Sequence, residues 1–422
     1  MPKRSVTILG KAVRAAARLR GGGSAFPGLV VERIDPDFIK DTLATLSHGV
    51  VIISGTNGKT TTTKMVVELL EQQGLKVFTN RTGSNFTRGV AAALLGEVSL
   101  SGTLDADIAV LELDEAHAVH FVRTIPPKYS LILNVMRDQL DRFGEIDTTA
   151  ELLRTITTAT SDTVVLNRED GRIAGLQDTL ITQRVRFFGL SDELLPTFPS
   201  DDQLHGGVAR LATAQADVTL KTFTDQTATF HMDGHDITTP LRLNGIYNAY
   251  NAAAALTLVR AIMGNAIDTQ KLILTLSLIT PAFGRGETFI INGKPLELVL
   301  VKNPSGFSLG LQSFNPTGYA TMVAINDNYA DGRDMSWLWD VSFGSLKTEG
   351  VEQVSGIRAY DMALRLQYDE VPLADVTPNL HKAFKQFLGD NAKKPKRIYC
   401  TYTAMLALRR DIGKLIDVES IG

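Results

Sequence analysis

Short apolar runs alternate with stretches whose apolar positions fall at helical spacing. Val50–Ile53 is the first such run. Met65, Val66, Leu69 and Leu70 then recur one helical turn apart until Gly74. Ile108–Leu113, Leu131–Asn134 and Val164–Asn167 repeat the strand signal. This alternation predicts an α/β fold with a parallel, doubly wound sheet and ligands at the carboxyl ends of its strands. A second series begins near residue 295. Leu296–Val301, Met322–Ile325, Gln353–Ile357 and Arg397–Thr401 predict a smaller Rossmann-like α/β unit.

Three stretches depart from this rhythm. In residues 1–23, Val6, Leu9, Val13, Ala16 and Ala17 form one stripe, with Lys11, Arg14, Arg18 and Arg20 opposite. That pattern predicts a basic helix, packed on its own domain or lying on anionic lipid. Between 190 and 240, Pro, Asp, Thr and Gly become frequent, and period-two runs at Ala216–Thr222 and Ala228–Met232 predict a β-rich excursion. His231 and His235 fall there without an evident acid partner and read as structural or surface residues. Leu243–Leu256, with its run of alanines, predicts a tightly packed helix. The expected division is a helical arm over 1–45, an ATP-binding domain over 46–290 and an α/β domain over 295–422.

The chemistry concentrates after the first strand. Gly55, Thr56, Asn57, Gly58, Lys59, Thr60 and Thr61 form a glycine-rich turn between strand and helix, the context that makes such a motif a phosphate site. Glycines let backbone N–H groups approach phosphate oxygens, and the helix start adds unsatisfied donors and positive potential. Lys59 is expected at the β/γ-phosphates of ATP, and the Thr60 hydroxyl on Mg2+. The usual pattern has a glycine five residues before Gly58; Ile53 stands there, and the glycine falls at 55. Glu112, at the end of the next strand, is the expected carboxylate for Mg2+, against the alternative of a helix cap. Asn248 and Asn251, three apart at a helix start, are candidate adenine readers, since an amide offers both donor and acceptor. Arg285, in the loop Pro281–Glu287, suits a phosphate fork.

Composition adds limits. The 422 residues are 44% hydrophobic and 21% charged, with net charge −3, which gives no footing for bulk nucleic-acid binding. A single cysteine, Cys400, leaves no disulfide framework and no four-cysteine zinc site. No apolar run approaches the roughly 18 residues that span a bilayer.

Gly55–Thr60, Asn134 with Asp138-Gln139-Leu140-Asp141, Gly245–Asn251 and Gly284-Arg285 follow one another as in the Mur ligase family, which the chain resembles. It departs from most members at Gln139, where a His is usual, and in having only 45 residues before the first strand. Asp138–Glu145, Lys302–Phe307, Asn326–Asp340, Ser355–Met362 and Thr401–Met405 resemble its MurT branch over about residues 35–415. Many MurT proteins carry a zinc ribbon; without cysteines, no zinc site is expected, and the ribbon is taken as replaced or lost within 190–240.

The resemblance implies ATP-dependent amidation of the D-glutamate α-carboxylate of the lipid II stem peptide, through an acyl phosphate. Lys59, Arg285 and Mg2+ would neutralise charge. It also implies a heterodimer with a GatD-type glutamine amidotransferase. The expected location is the cytoplasm, with the basic helix of residues 1–23 a candidate contact to the inner face of the membrane. Releasing ammonia from glutamine calls for an activated nucleophile such as a cysteine. Cys400 lies in an apparent strand with no His near it, so the glutaminase must be another polypeptide or free ammonia is used. By the resemblance, Asp334 completes the partner's Cys–His pair, with Asp331 in reserve. The alternatives are a ligase that adds an amino acid and a non-catalytic ATP-dependent scaffold.

Overall fold

The computed structural model describes residues 4–19, 26–80, 86–137, 146–198, 214–224, 226–243, 245–281, 285–390 and 394–417. Among them the first sheet has nine strands. They are β1 (Gly49–Ser54), β2 (Val77–Thr79), β3 (Ile108–Glu112), β4 (Tyr129–Ile132), β5 (Thr163–Asn167), β6 (Arg184–Leu190), β7 (Val218–Thr224), β8 (Thr227–Met232) and β9 (His235–Pro240). Their order is β2-β3-β1-β4-β5-β6-β7-β8-β9. The first seven in that order are parallel, and β8 and β9 close the edge as antiparallel hairpins. β1 lies between β3 and β4, so its exit opens where the chain diverges to either side, the usual place for a ligand in such sheets.

Helices cover both faces, which is why β1 reads as continuously apolar rather than alternating. Val51 and Ile53 face a core shared with the helices Lys59–Gln72 and Ile246–Met263. Val50 and Ile52 face the other core, under Thr87–Glu97 and Glu115–Thr124. Ala252–Ala255 are fully buried; their small side chains let two helices and the sheet approach closely.

The second sheet has order β10-β11-β15-β12-β13-β14. Its strands are β10 (Arg285–Ile291), β11 (Lys294–Leu300), β12 (Ala320–Ala324), β13 (Val351–Ser355), β14 (Leu373–Val376) and β15 (Lys396–Cys400). All pairs are parallel except β10 with β11.

Several expectations shift. The stretch near 190–240 is β-rich in its described part, as expected, but its strands β7, β8 and β9 continue the main sheet. β6 precedes it in the main sheet, and Val218, Leu220, Ala228, Phe230 and Met232 extend that sheet's core. Residues 199–213 of that stretch lie outside the described residues. β4 ends at Ile132, paired with Ser54, which leaves Asn134 in the exit loop. β13 stops at Ser355 because Gly356 turns at φ +96°, where a Cβ would meet the Ile325 carbonyl at 2.3 Å. The basic segment forms the helix Arg4–Leu19, but its buried side holds Val6, Thr7 and Gly10, not Leu9 and Ala16, which are exposed. The cause is Gly10: a Cβ there would strike Leu95 and Val31 at 2.6 Å, so this side packs closest.

Candidate active site

The loop after β1 is held from two sides. Gly55 has φ +128° and would, with a Cβ, press on Asn134; Gly58 has φ +89° and would press on the Asn251 amide at 2.6 Å. Only glycine meets both demands easily. Asn134 latches the loop with its whole amide: it accepts from Asn57 N at 2.9 Å and donates to Asn57 O at 3.0 Å. Thr56 N donates to Asn134 O, and Thr56 Oγ1 exchanges hydrogen bonds with the Met136 backbone. The N–H groups of Thr56 and Asn57 therefore fix the loop's shape. The helix Lys59–Gln72 then begins, and its N-cap, Gly58, has no side-chain oxygen to cover the first-turn N–H groups. That uncapped start is the form an anion site takes.

Lys59 is buried, donating to the carbonyl of Gly55 and pairing with Glu115 at 3.4 Å. Thr60 Oγ1 donates to Glu112 Oε1 at 2.8 Å. Glu112 is itself fixed by Asn80, which accepts from its N–H at 3.0 Å and donates to its carbonyl at 2.8 Å. Two oxygens of the kind Mg2+ prefers thus meet beside the phosphate loop, next to a buried cation.

The two asparagines of the helix Ile246–Met263 have different settings. Asn251 lies against Gly58 and belongs to the loop's wall. Asn248 sits in the first turn, its N–H bonded to the Gly245 carbonyl. Between them Tyr250 donates to Asn167 Oδ1, and Asn167 donates to the Leu133 carbonyl at 2.7 Å, tying this helix to the loop of Asn134. Asp170 completes the bracing: it accepts from Val135 N at 2.8 Å and from Arg172 N and Ile173 N. Burial raises this carboxyl to about 6 against those three donors. Arg285 starts β10, and its side chain lies outside the described residues, as do Asp138–Glu145 and Gly284.

The second unit touches the loop directly. Lys302 Nζ donates to Thr56 O at 3.2 Å, and Asn303 Nδ2 to Asn57 Oδ1 at 3.3 Å. Beyond β12, Asp331 is buried and accepts from Thr403 N, Thr403 Oγ1 and Asn328 N, and burial raises its pKa. It pins the start of the helix Tyr402–Ile412 and does not project from a loop tip, which counts against the reserve role. Asp334 is partly exposed, accepts only from Ser336 among the described residues, and is held below the usual carboxylate range by that hydrogen bond. Asp327 pairs with Arg358. Cys400 is fully buried in β15, and burial pushes its thiol well up. His231 does have an acid partner, Asp236 across the hairpin at 2.6 Å, on the exposed edge far along the sheet from β1.

Asn80, Glu115, Asp170 and Tyr250 were not singled out in the sequence. Glu115 carried a signal, as one of three acids at a strand exit; the other three show only once the strands are paired.

This fold and loop define the class: residues 53–259 match the family profile Mur ligase middle domain, and residues 300–405 match MurT ligase C-terminal. The chain is 31% identical, over 92% of each sequence, to the lipid II isoglutaminyl synthase (glutamine-hydrolyzing) subunit MurT of Streptococcus pneumoniae. It is 28% identical to the Staphylococcus aureus (strain COL) protein of that name, over 86% of this chain and 87% of the relative. Solved structures share the fold. A pseudomurein peptide ligase type C from Methanothermus fervidus superposes with TM-score 0.68 at 19% identity, covering 90% of this chain and 81% of that one. MurF ligase from Thermotoga maritima, solved with ADP, gives 0.68 at 18%, over 89% and 82%. The chain is a Mur-type ligase of peptidoglycan synthesis. Within that class it belongs to the MurT family.

Proposed function

We propose that this chain is the synthetase subunit of a glutamine-fed, ATP-dependent amide ligase acting on lipid II, converting the D-glutamate α-carboxylate of the stem peptide to the amide. A carboxylate oxygen attacks the γ-phosphorus of ATP, and ADP leaves. Ammonia then adds to the carbonyl carbon of the acyl phosphate, inorganic phosphate leaves, and a proton is lost. Lys59 and Arg285 neutralise phosphate charge, and positioning does most of the rest. Thr60 and Glu112 would hold Mg2+, which when bound would share that neutralisation. Asn248 contributes to adenine binding. The likeness to proteins named as lipid II isoglutaminyl synthase subunits runs through both units, and that observation carries the reading.

The nitrogen comes from a GatD-type glutaminase subunit. Cys400, the chain's one thiol, is buried and its pKa is raised, which suits a core residue and not a nucleophile. Asp334 is the residue for the partner's catalytic His: charged, partly exposed and without an ion-pair partner among the described residues. Such an acid orients the imidazole and stabilises its charged form. The lipid-linked substrate sets the work at the inner face of the membrane.

The test is an omission assay with ATP, Mg2+, lipid II, glutamine and the glutaminase subunit. Amide should form only with ATP and a nitrogen source, and ammonium should replace glutamine plus partner. Addition of an amino acid in place of amide, or turnover without lipid II, contradicts the proposal.

A further inference from the structure

The helix Arg4–Leu19 is apolar on two sides. Val6 and Gly10 pack inward, and Arg14 folds back against Gly96. On the outer side Ile8 and Leu9 are 53% and 47% exposed, and Ala12 and Ala16 beside them are exposed as well. At 100° per residue these four share one face, bordered on one side by Arg4 and Lys11. Residues 1–23 hold six cations and no acid, in a chain whose net charge is −3.

We infer that this outer face docks on an anionic lipid bilayer. Two aliphatic side chains with small neighbours form a shallow apolar band, and cations along its edge match the headgroups; this is the pattern of a helix lying in the interface. Protein interfaces are enriched in aromatic side chains at their core, and the band has none. A second copy of the chain would bring like charges together across a two-fold axis. The inference deepens the proposed reaction, since it gives the enzyme a way to meet a membrane-anchored substrate, and it rests on that reading.

The test is co-sedimentation of the full chain, at low salt, with phosphatidylcholine vesicles and with vesicles containing about one-third phosphatidylglycerol. The chain should bind the anionic vesicles and release in high salt. Ile8→Ser with Leu9→Ser, and separately Arg4→Gln with Lys11→Gln, should each weaken binding about tenfold or more. Both pairs change exposed or partly exposed side chains, so melting temperatures should hold. Ammonium-driven amidation of detergent-solubilised substrate should also hold in both variants, and only vesicle-embedded substrate should turn over more slowly. Loss of the detergent reaction in the parent chain indicts the proposed function instead. Failure of the parent chain to bind the anionic vesicles, or binding by both variants that equals the parent's, overturns the docking surface. So does a variant that keeps lipid binding but changes oligomeric state or loses the glutaminase subunit on gel filtration.

Discussion

Lys302 Nζ, from the second unit, donates to the carbonyl of Thr56 in the phosphate loop at 3.2 Å, across 246 positions of sequence. Beside it Asn303 is fully buried, caps Gly306 N at 2.7 Å and reaches Asn57. The glycine-rich loop after β1 is therefore tied by hydrogen bonds to the unit that carries Asp334. Lys302→Met should leave the unfolding midpoint in place and lower kcat/KM for ATP by about tenfold. Asn303→Ala should add a stability loss of about 1 kcal/mol from the missing cap. Unchanged kinetics in Lys302→Met would mean the contact is incidental.

Lys59→Ala removes the buried cation at the loop. It should abolish amidation while leaving the glutaminase subunit bound, because Lys59 Nζ is buried and bonds to Gly55, Thr56 and Glu115 within its own unit. Residual amidation at saturating ATP, read by mass spectrometry of the stem peptide, would sink the phosphate-loop assignment.

Asn248→Ala should raise KM for ATP and narrow the preference for ATP over GTP, with little change in kcat. Asn251→Ala should behave differently, since its amide walls Gly58. It should disturb loop geometry and lower kcat/KM for both nucleotides. Equal KM values in wild type and Asn248→Ala would make Asn248 structural.

Asp170 gives a pH signature. Its pKa in the fold, about 6, exceeds the unfolded value of about 3.9, so the native state holds the proton more tightly. The stability this contributes is complete below about pH 4 and lost as pH rises through about 6. Compared with Asp170→Asn, the wild type should therefore lose on the order of 1–3 kcal/mol between pH 4 and 7.5. Urea midpoints of both proteins measure it. A difference that stays flat or grows with pH contradicts the burial argument.

Much of this was legible in the chain. Val50–Ile53, Gly55 and Gly58 announce strand, turn and helix because each step has its own residue chemistry. The family likeness also fell on short polar stretches that keep their order. What stayed hidden depends on register between distant strands. Asn80 holds Glu112 only because β2 and β3 exit together, and Asn134 reaches Asn57 only because β4 pairs with β1. β2, β10 and β14 were missed because they are short or lie at sheet edges, where the apolar signal weakens. The burial of Asp331 and exposure of Asp334, three residues apart, could not be read from spacing. The turn at Gly332, φ +89°, and the hydrogen bonds of Thr403 separate them.

Asp334→Asn tests the central claim most directly. The substitution keeps the shape and removes the charge, and it breaks no ion pair among the described residues. In the complex with the glutaminase subunit, glutamine-driven and ammonium-driven amidation are measured side by side. Glutamine-driven amidation should fall by about three to four orders of magnitude, as when a His-orienting acid is lost. Ammonium-driven amidation should stay near wild type, and the complex should remain intact on gel filtration. Normal glutamine hydrolysis in that complex would contradict the account, as would an equal loss of both reactions.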